Sequence, residues 1–190
     1  RQRGMAIHAA ERLELLKEAF PEIKKVAFPM TPTDIPGQQS LEAANEAAAR
    51  LGVVIIPYYI TQERDVKTTA QAIKHKDVDG IVISSDSVVW ANLATYVEQA
   101  KKEKLPFAVF DKDMVEKGGL LGYGPDYFVS GEQAAGYVNR ILKGEKAADL
   151  PIDTPRKLLT VLNLATARDI GFTFPESFLQ KADLLFGKTP

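Results

Sequence analysis

The sequence predicts an α/β fold, a three-layer αβα sandwich around a mostly parallel sheet. Three observations point there. Apolar runs of strand length recur along the chain, and amphipathic stretches of helix length separate them. The runs are apolar at consecutive positions, as strands buried on both faces are. The 190 residues also suffice for one sizeable core, since a chain of this size buries roughly 70% of its unfolded surface. The expected organisation is a single α/β lobe over residues 1–190. Residues 6–124 and 157–186 form its core, and residues 125–156 form a helix and linker that leave it.

The elements follow in order. Residues 6–20 read as a helix, with Ala9, Leu13, Leu16 and Phe20 at helical spacing and Pro21 as its stop. Residues 24–30, KKVAFPM, read as a buried strand. Thr33 and Asp34 offer a cap for an alanine-rich helix over 38–51, which Gly52 ends. Residues 53–60 are a strand and 63–76 a helix. A strand lies within 79–86, and 87–104 read as one long helix. Strands follow at 106–110 and 118–124. The break at Gly124-Pro125-Asp126 opens a helix over 127–144. A proline-punctuated linker leads to a last strand at 157–164. Helical pieces close the chain at 165–170 and 176–186, and residues 187–190 read as a loose end. With right-handed crossovers, every strand would deliver its C-terminal end to one edge.

Composition removes several functions. The 24 basic and 25 acidic residues leave a net charge of −1, so no basic field calls for nucleic acid. There is no cysteine, which removes thiolate chemistry and cysteine-held metals. His8 and His75 have no second ligand at metal spacing. No nucleophile elbow or phosphate-cradling loop is present, and GYGPD is not a dinucleotide fingerprint. No enzyme and no cofactor is therefore expected.

Open parallel sheets bind ligands at the strands' C-terminal ends. Polar residues gather there in this chain. They are Thr31, Thr33 and Ser40 after the first strand, Ser85, Asp86 and Ser87 after the third, and Asp111 and Asp113 after the fourth. Hydroxyls and carboxylates of this kind suit the two ends of a zwitterion. A plainer reading stands beside each. Asp34 and Ser87 serve as helix caps, Asp86 and Asp111 as turn residues, and Asp111 with Asp113 as a solvated turn rather than an acid pair. Trp90 reads as a core or groove aromatic, with a pocket wall as the alternative.

Three segments carry a family resemblance. ERLELLKEAFPEIKKVAF comes first, then DKDMVEKGGLLGYGPDYFVSGEQAAGYVNRILKGEKAADLPIDTP, then KLLTVLNLATARDIGFTFPESFLQKADLLF. In this order the chain resembles the substrate-binding proteins of ABC-type importers, in the subgroup associated with tryptophan, tyrosine and related ligands. The resemblance implies a Rossmann/flavodoxin-like lobe of the periplasmic binding protein type I fold. It also implies ligand held between two lobes, in the loops at 31–40, 86–87 and 111–113. Relatives tend to carry Asn-Pro-Ser after the first strand, where this chain has Thr31-Pro32-Thr33. They tend to carry Thr-Asp-Asn at the third strand, where it has Ser85-Asp86-Ser87.

The expectations that follow are an extracytoplasmic, periplasmic solute-binding component that takes a small amino-acid-like ligand and docks on a membrane permease. The alternative is a ligand-sensing regulatory domain of the same fold. The chain would be a truncated form that keeps mainly the second lobe and carries no signal peptide. The helix over 127–144 has two apolar lines, Tyr127, Ala134, Val138 and Ile141, and Phe128, Ala135 and Leu142. Without a first lobe to cover it, it would fold back on its own sheet or pair with a second copy as a homodimer.

Overall fold

The computed structural model describes residues 8–188. Seven strands form one sheet in the order β2-β1-β3-β4-β5-β6-β7. They are β1 Lys25–Met30, β2 Val54–Tyr59, β3 Gly80–Val82, β4 Phe107–Val109, β5 Leu121–Pro125, β6 Leu158–Asn163 and β7 Leu184–Phe186. The helices are α1 His8–Ala19, α2 Ile35–Leu51, α3 Val66–Ala72, α4 Ser87–Ala91, α5 Leu93–Glu103, α6 Lys112–Glu116, α7 Tyr127–Leu142, α8 Leu164–Ile170 and α9 Glu176–Leu179. The expected start of the first helix at Ala6 lies outside the described residues, as do the last two residues of the expected loose end.

The pleat sorts the core into two layers. Val26, Phe28 and Met30 of β1 pack with α1 and α2, while Ala27 between them faces α3 and α5. Val82 and Ala108 face the first layer, and Ile81, Ile83, Phe107 and Val109 the second. This period of two across a sheet covered on both faces gives the αβα sandwich. On α1 the buried stripe is Ala9, Arg12, Leu13, Leu16 and Ala19, so a charged residue sits within an apolar face.

The structure corrects several boundaries. Residues 176–186 are not one helix. α9 spans only four residues, and Leu184–Phe186 is a strand parallel to β6. A three-residue apolar run is too short to show a period, and it is pairing that decides it. The Asp183 carboxylate accepts from Thr160 N at 2.7 Å and Asp183 N donates to Thr160 O at 2.8 Å, which sets the register. The helix over 87–104 breaks at Asn92, whose side chain donates to the Val88 carbonyl. The helix over 63–76 shrinks to a 3-10 turn and α3, because Ile73 turns extended and its carbonyl accepts from buried Gln99. α2 begins at Ile35, three residues early, since Pro36 fits a first helical turn. Residues 112–116 form a short helix where the sequence suggested only a turn.

Strand direction is the larger correction. β1 to β5 are parallel, but β6 runs antiparallel to β5 and β7 follows β6. The C-terminal ends of β6 and β7 therefore lie at the opposite edge from the other five. β5 and β6 pair through Pro125↔Leu158, so residues 126–157 are a long excursion inserted into what could be a tight hairpin.

That excursion does not fold back on the sheet. α7 has no buried residue, and Phe128 and Leu142 are 77% and 81% exposed. The linker packs along it instead. Gln133 donates to the Thr154 carbonyl and accepts from Arg156 N, and the Tyr137 hydroxyl donates to the Pro151 carbonyl. Asp126 N bonds the Lys157 carbonyl at 3.0 Å, where the excursion leaves and re-enters.

Candidate functional site at the strand ends

The C-terminal ends of β1, β3, β4 and β5 meet on one edge, and the turns leaving them carry the polar residues expected there. Two groups form. The first centres on Asp86, which is 0% exposed. Its Oδ1 accepts from Val88 N at 2.8 Å and Val89 N at 3.0 Å, and its Oδ2 from Thr31 N at 2.6 Å. Asp86, not Ser87, is therefore the cap of α4, and it ties the end of β1 to the end of β3. Three charge-assisted bonds to backbone amides compensate its burial. Ser40 Oγ accepts from Ser85 N at 3.4 Å and donates to the Pro36 carbonyl. Thr31, Ser40, Ser85 and Asp86 thus come together. The buried hydroxyl oxygens of Thr31 and Ser85 have no protein partner. Thr33 stands exposed in the turn before Asp34, which caps α2 through Gly37 N.

The second group borders an open cleft of about 900 Å³. Ser87, Trp90, Asp111, Asp113, Lys117 and Tyr127 are among the residues that line it. Asp111 caps α6 by accepting from Met114 N at 2.9 Å. Its carboxyl is pushed above the ordinary range by burial, with the Asp113 charge adding to the shift and the Met114 bond opposing it. The Tyr127 phenol is pushed up to about 12, first by burial and then by the charges of Asp111 and Asp113. Trp90 is 57% exposed, so it is a cleft wall and not a core residue.

Within electrostatic reach of Asp111 and Tyr127 lies Arg12, fully buried. It donates to the Ile83 carbonyl at 3.3 Å and the Tyr123 carbonyl at 3.5 Å, and its guanidinium lies 5.2 Å from the centre of the Phe110 ring. Burial lowers its pKa to about 10. The sequence reading passed over it. Its signal was position, three residues after Ala9 and four before Leu16 on the stripe that had to be buried. Gly124 belongs to the same crowded edge, since a Cβ there would collide with the Phe110 carbonyl oxygen.

A second depression, of about 740 Å³, lies beside α2 between Met30, Gln38 and Tyr59. It has none of the strand-end carboxylates. Among the described residues no group of three His, Cys, Asp or Glu side chains is placed to hold a metal ion. No helix among them is long and apolar enough to cross a membrane.

An open sheet with polar turns and a cleft at its C-terminal edge is the arrangement of a periplasmic binding protein type I lobe. The family model for ABC transporter substrate-binding proteins matches residues 5–185, and the chain belongs to that family. The family is one of binding proteins rather than enzymes, and its members usually work outside the cytoplasm. No curated protein matches the sequence. Among solved structures, the chain is similar to an ABC domain in complex with L-Trp from Streptococcus pneumoniae. The identity is 25% and the TM-score 0.83, over 94% of this chain and 62% of that one. It is also similar to a conserved domain protein from Vibrio cholerae, with 27% identity and a TM-score of 0.85 over 93% of this chain and 60% of that one. A LacI family transcriptional regulator from Bifidobacterium animalis shares the fold alone, at 13% identity and a TM-score of 0.56, over 80% of this chain and 59% of that one. The chain thus spans about three-fifths of the length of these solved chains.

Proposed function

We propose that this chain is the ligand-binding lobe of an extracytoplasmic solute-binding component of an ABC importer, and that it takes a small amino-acid-like ligand with an aromatic side chain. The observation that carries this reading is a cleft lined by Trp90, Tyr127, Asp111 and Asp113, in a chain of this family. Trp90 and Tyr127 offer faces for an aromatic ring, and the two carboxylates suit an ammonium group. Ser87 supplies a hydroxyl at the cleft, while Thr31, Thr33, Ser40 and Ser85 belong to the neighbouring strand-end turns, where the buried hydroxyls of Thr31 and Ser85 lack protein partners. Asp86 has its oxygens engaged by amides and acts here by shaping the turn. L-Trp in the Streptococcus structure supports the ligand class. The lobe works in the periplasm, and its partner is a membrane permease.

In this reading residues 125–156 are a crossover segment. Its α7 packs on a first lobe where one is present, and on a second copy of the chain where none is. The fold shared with LacI-family regulators keeps a ligand-sensing role without transport as the second reading. Genes for a permease and an ATPase beside this one favour transport, and their absence favours sensing.

Calorimetry with L-tryptophan, L-tyrosine, L-phenylalanine and the branched amino acids tests the ligand class. Saturable binding of an aromatic member is expected. Binding should weaken as pH falls through the raised pKa of Asp111, because the neutral acid no longer holds the ammonium. No binding of any of them removes the reading.

A further inference from the structure

The buried cation near the cleft has no evident use in stability. Among the described residues Arg12 makes two long hydrogen bonds, its Nε has no partner and no carboxylate lies at ion-pair distance, although the charges of Glu11 and Asp111 favour its charged form. A buried guanidinium without an ion-pair partner costs free energy, and an apolar side chain of similar size often serves a core as well or better. Its pKa of about 10 still leaves it charged at neutral pH.

Its partners suggest another use. Ile83 directly precedes Ser84, Ser85 and Asp86. Phe110 directly precedes Asp111. Tyr123 leads through Gly124 and Pro125 to Asp126 and Tyr127. One side chain therefore touches residues at or near the ends of three strands, and the turn after each strand delivers a residue to the cleft. The Arg12 fork is planar and rigid, so it ties the Ile83 and Tyr123 backbones at a set distance while its face packs on the Phe110 ring, in a way that apolar packing does not.

We infer that Arg12 is a positioning residue. It locks the turns after β3, β4 and β5 at one mutual spacing, and so sets the cleft's affinity without touching the ligand.

The first test needs no ligand. Amide hydrogen exchange is compared in the wild type, Arg12→Met and Arg12→Lys. In Arg12→Met the amides of Val88, Val89, Met114, Phe128 and Val129, which mark the three turns, should exchange about tenfold faster. The amides of Ile56 and Tyr58, in the edge strand β2, should be unchanged. Unchanged turns, or an equal rise across the whole sheet, overturns the inference. If Arg12→Met does not fold, Arg12→Lys decides, since it keeps the charge without the fork. Faster exchange in all three turns supports the inference and wild-type exchange in them overturns it.

The second test rests on the proposed ligand reading. Calorimetry with L-tryptophan, well below the melting temperature, should show about tenfold weaker binding in Arg12→Met, about 1.4 kcal/mol. Equal affinity in the two proteins overturns the inference. Absence of binding in the wild type counts against the ligand class alone, and the exchange measurement then stands as the test of Arg12.

Discussion

α2 and α7 are alike on paper. They span 17 and 16 residues, and each is capped by an aspartate at a strand-end turn, Asp34 and Asp126. α7 carries more large apolar residues: Tyr127, Phe128, Val129, Tyr137, Val138, Ile141 and Leu142, against Ile35, Leu41 and Leu51 in α2. Yet α2 buries Gly37, Ser40, Ala44, Ala47 and Ala48, and α7 buries nothing. The chain path makes the difference. α2 connects β1 to its parallel neighbour β2, and a parallel crossover must lie over the sheet. α7 lies inside a hairpin connection that needed no crossover, so nothing pulls it onto the sheet. Topology decides which helix is covered, and small residues let α2 sit close.

Substitutions should separate the two helices sharply. Ala44→Glu puts a charge where α2 meets the core and should cost about 3 kcal/mol or more in denaturant unfolding. Leu142→Glu, at an 81% exposed position, should change monomer stability by about 0.5 kcal/mol or less. If light scattering finds the wild type dimeric, Leu142→Glu should also dissociate it. A large loss of monomer stability would mean that α7 is covered within its own chain.

The caps sharpen the same contrast. Asp86→Ala leaves the amides of Thr31, Val88 and Val89 without their carboxylate in a buried turn and should cost about 2–4 kcal/mol. Asp126→Ala removes the cap of an exposed helix and the pairing with Lys157, and should chiefly fray α7, seen as faster exchange at Phe128 and Val129 with a much smaller drop in the global midpoint than Asp86→Ala gives.

A smaller effect separates the two ends of the strand edge by pH. The Asp126 pKa is lowered, chiefly by its bond to Lys157. Its stabilisation is present above the ordinary carboxylate pKa of about 3.9 and is lost as pH falls through the depressed folded value. The Asp111 pKa is raised by burial, so its contribution has the opposite sign and stability grows as pH falls through its folded value. Denaturation of Asp126→Asn and Asp111→Asn across the acid range should show differences from wild type that change in opposite directions. A shared direction would contradict this assignment.

Much of the fold was legible in the sequence because six strands are largely apolar runs, most of them with Gly, Pro or Asp close to their ends. β7 was not, since Leu184-Leu185-Phe186 has no period and takes its form from pairing with β6. The reversal of β6 was hidden for a related reason. An excursion of more than 30 residues reads as a crossover, and only the pairing of Pro125 with Leu158 shows a hairpin. At the site, the strand ends could be placed from the βα rhythm, so Ser85, Asp86, Asp111 and their neighbours were found. What each does depends on distances. Asp86 faces amides, and Trp90 is exposed at the cleft, the alternative to the core or groove position its aromatic character suggested. Arg12 was visible only as a charge on the wrong face of a helix.

The sole tryptophan of the chain is Trp90, so a nitrogen-15-labelled sample has a single indole N–H signal, placed at the wall of the cleft. Titration with unlabelled L-tryptophan should move that signal saturably, together with the amides of Ser87, Asp111 and Tyr127. An unmoved indole signal, or shifts confined to the depression at Met30, Gln38 and Tyr59, would contradict ligand binding at the strand-end cleft.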